Sequence, residues 1–176
     1  VASIIFYLVA IVTANVITAA FQPLQVMGLI IPPGTLIIGL TFILRDFVQR
    51  SYGRNKTYSV IVLALILSAI TSALLGDTMA IVAASALSFA LSETADTEIY
   101  TRLQGSFSQR VLYSGIVGGI LDSTVFVIIG LSPIGAGFLP WAAVPMAIAG
   151  QILAKVVMQG LGALVIKTNF EKQVGL

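Results

Sequence analysis

The chain has 176 residues, of which 58% are hydrophobic and 9% charged, and its mean hydropathy is +1.05. Soluble domains carry about 25% charged residues, so this composition excludes a water-covered globule and points to one covered by lipid. Zero cysteine and zero histidine exclude a disulfide framework, thiolate chemistry and the commonest metal ligand, and a net charge of +2 is too small to suggest nucleic acid. Residues 1–176 are therefore read as a single transmembrane domain, all-α, with membrane lipid around it.

The sequence begins at Val1 rather than Met, so a trimmed N-terminus is expected. Residues 1–20 have no basic n-region and no small-residue cleavage site, so they read as a retained helix and not a signal peptide. A spanning helix needs roughly 20 apolar residues. On that measure the first predicted span is 2–20, followed by a loop rich in turn residues from Gln22 to Gly34. The second span, 34–49, ends in charge at Arg45, Asp46 and Arg50, and 50–56 read as a polar loop. A nearly featureless third span covers 57–75 and is expected to be structural. After a tight turn at Gly76-Asp77 the fourth span covers 78–103. The fifth covers 110–131 and the sixth 141–167, with Pro133, Gly135, Gly137 and Pro140 punctuating the connection.

Lys and Arg set the expected orientation. Arg50, Arg54, Lys56, Arg102, Arg110, Lys167 and Lys172 all fall on alternate connections, and the opposite loops carry none. The prediction is a six-transmembrane-helix bundle with N- and C-termini cytoplasmic and Trp141 as an outer interfacial anchor.

Ionisable side chains at membrane depth cost roughly 2.5–3.5 kcal/mol each on insertion scales and face a bundle interior or a wet cavity. Asp46, Glu93, Asp122 and Lys155 qualify. At 1.5 Å per residue, Glu93 and Lys155 lie about 22 and about 21 Å from the outer ends of their helices, so a Glu93–Lys155 pair is expected if those helices are neighbours. Asn15, Asp122 and Gln151 form a second, less deep tier. Spacings of three and four place the polar residues in stripes: Asn15, Thr18 and Gln22; Ser85, Ser88, Ser92 and Asp96; Gly115, Gly118, Gly119 and Asp122; Gln151, Lys155 and Gln159. Four stripes on four helices are what a central ligand pocket needs.

Structural readings compete. Glu93–Lys155 also reads as a helix-joining salt bridge, and Asp46 beside Arg45 as a pair snorkelling to the headgroups. Asp96, Glu98 and Arg102 approach the inner interface, where charge costs little. The serine stripe reads equally as helix-packing glue, and Asn15 as an interhelical hydrogen bond. Gly115-Ile-Val-Gly-Gly119 is a GxxxG pattern that permits a homodimer without requiring one. Asp122 and Gln151 resist such readings because neither is near an interface. A Walker A pattern is absent, and nothing suggests a catalytic constellation or a channel's ring of like groups. Neither an enzyme, a cofactor nor a metal is expected.

Four segments carry a family resemblance. Thr41-Phe-Ile-Leu-Arg-Asp-Phe-Val-Gln-Arg-Ser-Tyr-Gly53 resembles the second-helix signature of the queuosine precursor transporter family, also called the vitamin uptake transporter family. Ala84-Ser-Ala-Leu-Ser-Phe-Ala-Leu-Ser-Glu-Thr-Ala-Asp-Thr-Glu-Ile-Tyr100 resembles its fourth helix, Gly119-Ile-Leu-Asp122-Ser its fifth-helix Asp motif, and Gly150-Gln-Ile-Leu-Ala-Lys155 its sixth-helix Lys motif. The chain departs from the family in being short at both ends, in lacking His and in placing Arg45 beside the motif Asp. The resemblance implies a six-helix fold similar to the substrate-binding components of energy-coupling-factor vitamin transporters. It also implies uptake of 7-cyano- or 7-aminomethyl-7-deazaguanine across the prokaryotic cytoplasmic (inner) membrane, with no dedicated ATPase.

Such a ligand fits the residues. A carboxylate, Glu93 or Asp122, would accept a ring N–H and an amino group together as a charge-assisted fork. Asn15 and Gln151 offer both donor and acceptor, Gln22 extends the first stripe, and Phe89 or Phe126 would stack on the ring. Lys155 would donate to the ligand carbonyl or hold Glu93 ionised, and Asp46 and Asp96 are assigned structural or coupling roles. The alternative is a substrate-binding component for another vitamin, with an ATPase module as partner. Ala10-Ile-Val-Thr-Ala14 echoes the small-residue pattern of such docking helices. A non-transporting scaffold is the third reading.

Overall fold

Apolar runs of this length leave helices as the economical solution, because backbone groups in hydrocarbon must bond within their own segment. The computed structural model describes residues 1–171, so Lys172, one of the residues that set the expected orientation, lies outside the described residues. The helices are α1 (Ala2–Ala20), α2 (Gly34–Tyr52), α3 (Arg54–Leu74), α4 (Met79–Arg102), α5 (Phe107–Phe126) and α6 (Val144–Ile166). Single π-helical turns, Val127–Leu131 and Lys167–Glu171, extend α5 and α6.

Several boundaries differ from the sequence expectation. The turn-rich segment after α1 is not plain loop: β1 (Leu24–Val26) and β2 (Leu29–Ile31) pair antiparallel, with Met27 and Gly28 both at positive φ (52° and 82°), the signature of a two-residue hairpin turn. Residues 50–56 are helical on both sides of Gly53, whose φ of 79° makes the break. Their charge misled because charged side chains at a helix end can pair: Arg54 binds Glu98 at 2.6 Å. At the start of α5, Ser106 and Gln109 form a capping box, and Pro145 sits in the first turn of α6.

Among the described residues, five helical segments are long and apolar enough to cross a membrane: Ala2–Ala20, Arg54–Leu74, Met79–Arg102, Phe107–Leu131 and Val144–Phe170. The sixth expected span, α2, falls short by composition because it carries Arg45, Asp46 and Arg50. It nevertheless runs antiparallel beside α1 from end to end. Gly34 at its start abuts Ala14 and Thr18, and Tyr52 at its end meets the Val1 amino group. Helix α2 packs against each of the other five, so Arg45 and Asp46 are buried in protein, and Arg50 lies exposed at its end. The exterior is the reverse: Phe6, Val9, Val62, Ile70 and Leu164 are all more than half exposed, as a lipid-facing surface requires.

The basic residues gather at one end. Arg50 stacks 4.3 Å above the Phe107 ring, Arg110 donates to the Tyr100 carbonyl at 2.7 Å, and Phe170 packs on Phe47 at 5.4 Å. Val1 and the last described turn therefore share this end with Arg50, Arg54, Arg102 and Arg110. The hairpin, the α3–α4 turn and the segment 132–143 make the opposite end, where β2 rests on α6 at Gly150 and places Ile30 against Ala147.

Candidate functional site

Between the helices, toward the hairpin end, lies a cavity of about 500 Å³. All six helices contribute to it: Asn15 from α1, Thr35 and Thr41 from α2, Ser68 and Ser72 from α3, Ser85, Ser88 and Phe89 from α4, Asp122 and Phe126 from α5, and Gln151 from α6. The hairpin end adds Gln22, Pro23, Ile30 and Phe138. Most of the wall is apolar and a few polar groups converge on it, the usual make-up of a small-molecule site.

Three of those polar groups have spare capacity. Gln151 is 3% exposed, and its Nε2 has no hydrogen-bond partner among the described residues. A buried donor left unmade costs about 1–3 kcal/mol, so a ligand acceptor is the natural complement. Asn15 donates through Nδ2 to the Ser68 hydroxyl (3.0 Å) and carbonyl (3.1 Å), which leaves its Oδ1 for another donor. Asp122 accepts from Lys155 Nζ on Oδ2 at 2.6 Å, and its side chain is 11% exposed against 1% for Lys155. The carboxylate thus faces the cavity while the ammonium stands behind it. Lys155 also donates to Ser123 Oγ at 2.8 Å, and the Ser123 hydroxyl donates to the Gly119 carbonyl at 2.7 Å.

Below the cavity is a second polar centre that the wall does not include. Arg45 is fully buried and surrounded by carboxylates: Asp46 Oδ1 at 3.1 Å, Glu93 Oε2 at 3.2 Å, and Asp96 Oδ2 in close contact. Its Nη1 donates to Gln49 Oε1 (2.7 Å) and Thr97 Oγ1 (3.1 Å). Gln49 in turn donates to Thr101 Oγ1 at 2.8 Å, so α2 and α4 are stitched along two turns. Tyr7 brings its buried hydroxyl from α1 beside Glu93.

These pairings revise the sequence reading at four points. Lys155 pairs with Asp122, not Glu93, because α5 packs against both α4 and α6 and presents its own carboxylate first. Glu93 does not reach the cavity, since Arg45 takes its carboxylate. Arg45 and Asp46 do not snorkel: α2 continues to Tyr52, which leaves Arg45 about two turns, roughly 10 Å, from the helix end. Asp96 is paired, but with Arg45 in the buried core and not at the inner interface, whereas Glu98 and Arg102 do lie in an exposed pair. Of the residues assigned to substrate, the structure brings Asn15, Gln22, Phe89, Asp122, Phe126 and Gln151 to one cavity and leaves Glu93 and Lys155 off its wall.

Helix α3 is less bland than expected. Ser68 holds Asn15, and Ser72 bonds Asp77 at the α3–α4 turn; all three residues other than Asn15 line the cavity with it. The spacing of Ser68 and Ser72 by one turn was the available signal. Two of the glycine stripe's members serve packing: a Cβ on Gly118 would sit 3.1 Å from Asp96 Cβ, and one on Gly119 would sit 3.2 Å from Lys155 Cβ. Ala10 and Ala14 are buried inside the bundle and so form no outward small-residue face.

A family model described as "Putative vitamin uptake transporter" matches residues 71–167. The chain belongs to that family. The matched stretch holds Asp77, Phe89, Asp122, Phe126, Gln151 and Lys155, whereas Asn15 and Arg45 lie before it. No curated protein and no solved structure matches the chain. As a member of the vitamin uptake transporter family with multiple apolar helices, it is a multi-pass membrane transporter of the vitamin-uptake type.

Proposed function

We propose that this transporter imports a 7-deazaguanine precursor of queuosine through the cavity, across the prokaryotic cytoplasmic membrane, with its basic end inside. The observation that carries the reading is the convergence of Asp122, Gln151 and Asn15 on one space flanked by Phe89 and Phe126, with Gln151 Nε2 and Asn15 Oδ1 left without a partner among the described residues. A deazaguanine offers adjacent ring N–H and amino donors, which one carboxylate accepts as a fork, and Asp122 is the carboxylate on the wall. Gln151 donates to the ring carbonyl, Asn15 accepts from a remaining donor, and a phenyl ring covers the flat face. Lys155 serves from behind as the counter-ion that aims Asp122, Gln22 sits at the rim, and Asp46 and Asp96 act with Arg45 as a structural centre. Concentration of basic residues at one end supports the orientation. The test is uptake of labelled 7-cyano- or 7-aminomethyl-7-deazaguanine in cells unable to make it. Uptake is expected with the wild type and not with Asp122→Asn; no uptake with either compound would refute the assignment.

The family's description favours one second reading, a substrate-binding component for another vitamin that works with an ATPase module. Its expected docking signal is weakened by the inward position of Ala10 and Ala14. Co-purification with a membrane coupling protein and an ATPase would favour it over the first.

A further inference from the structure

Among the lining residues, two are ionisable, Asp77 and Asp122, and neither Lys nor Arg lines the cavity within the described residues. The two carboxylates are not equivalent. Asp122 is matched by Lys155 at 2.6 Å. Asp77 has no cation within ion-pairing distance among the described residues, and its one side-chain partner is the neutral Ser72 hydroxyl, on Oδ2. The described Lys and Arg residues lie deeper in the bundle or toward its other end, so among the described residues no cation at the hairpin end offsets this charge.

The position of Asp77 has an ordinary component. It precedes α4, where the positive end of the helix dipole favours a carboxylate, and Thr78 caps that helix. Helix capping does not require the carboxylate to face a cavity, and Asp77 does. Depth can be read from α3. Ser72 holds Asp77 and Ser68 holds Asn15, so the two polar levels are one helical turn apart, about 6 Å. A small ring compound bound at the Asn15–Gln151 level would therefore bring a substituent of a few atoms to Asp77.

We infer that the cavity is built for a ligand that joins a flat hydrogen-bonding ring to a cationic amine, with the unpaired carboxylate of Asp77 binding the ammonium group and Asp122 and Gln151 binding the ring. Independent support for a ligand here is Gln151, which is 3% exposed, lines the same cavity and carries an Nε2 with no hydrogen-bond partner among the described residues. The inference rests on the cavity being the transport site proposed above, and it selects the aminomethyl over the cyano compound: the first carries a protonated amine and the second a neutral nitrile. In a mostly apolar cavity an ammonium–carboxylate contact is charge-assisted, whereas a nitrile offers Asp77 only an acceptor, which repels.

The test uses the purified full chain in lipid nanodiscs and measures thermal protection against ligand concentration. 7-Aminomethyl-7-deazaguanine should protect at a concentration at least about tenfold below that of the 7-cyano compound. Asp77→Asn should abolish that gap, Asp77→Glu should keep most of it, and Asp122→Asn should weaken both compounds. Equal protection by the two compounds, or a gap that survives in Asp77→Asn, would overturn the inference and leave the proposed transport role standing. Paired probes judge it apart from that role: benzylamine against benzyl alcohol, and tryptamine against tryptophol. If neither deazaguanine binds but the amines protect through Asp77, the cation site stands and the queuosine assignment falls. If no amine outperforms its neutral partner and neither deazaguanine binds, both fall.

Discussion

Lys155 Nζ and Asp122 Oδ2 lie 2.6 Å apart, and only the carboxylate of the pair reaches the cavity. The ammonium is the hidden half of a two-layer binding group. Its removal leaves a buried carboxylate without its counter-ion in a mostly apolar wall, which for a buried pair costs about 3–5 kcal/mol. Lys155→Met is therefore expected to lower the thermal midpoint sharply. Lys155→Met with Asp122→Asn should recover most of the loss while ligand protection stays absent. Differential scanning fluorimetry of the single and double variants reads both effects, and a double variant as unstable as the single would contradict the pairing.

Gln151 separates stability from binding. Replacing it with Leu removes a buried donor that has no partner, so the ligand-free protein should hold its stability or gain about 1 kcal/mol. Ligand protection should fall at least about tenfold, because a donor meant for the ligand is gone. A large loss of ligand-free stability would show that Nε2 has a structural partner after all.

Arg45 is expected to be the least replaceable side chain. Three carboxylates from α2 and α4 surround its guanidinium. Arg45→Gln leaves them facing one another, and the yield of monodisperse protein on size exclusion should collapse. Arg45→Lys should rescue poorly, since a point charge cannot meet three carboxylates and two neutral acceptors as a planar fork does. Glu93→Gln, which removes one surplus charge, should be tolerated.

Gly34 sets how closely α1 and α2 approach. A Cβ there would stand 2.5 Å from the Ala14 carbonyl oxygen, a backbone atom that cannot swing aside. Gly34→Ala should destabilise by about 1–3 kcal/mol through overpacking, visible as a lowered thermal midpoint. Because Ala14 and Thr35 both line the cavity, ligand protection should fall with it.

Much of this was readable in the residues. Apolar length placed five spans, and the three-and-four spacing turned Asn15, Ser88, Asp122 and Gln151 inward. Partner choice was not readable. Glu93 and Lys155 sit at similar depths, but depth says nothing of which helix stands between, and the intervening α5 gave Lys155 its carboxylate. Arg45 was misjudged because the charged run after it looked like a loop; one further turn of α2 moved it from the interface to the core. Hydroxyls on a membrane helix can bond their own backbone, so the serines of α3 carry no signal of a partner in the sequence, and only the fold shows Ser68 turned toward Asn15. Asp77 looked like a turn residue, which it is, and its second face was set by the cavity behind it.

The charges of α2 also fix how the protein must be made. As a lone segment α2 is the poorest candidate for entering a bilayer, and the carboxylates that neutralise Arg45 lie about 50 residues later in the chain, on α4. Stable residence of α2 in lipid therefore waits on synthesis of α4. Until then the segment must be shielded, by the translocation machinery or against its neighbour α1. A ribosome stalled before Glu93 emerges should leave α2 accessible to water-soluble labels, and release past Asp96 should bury it.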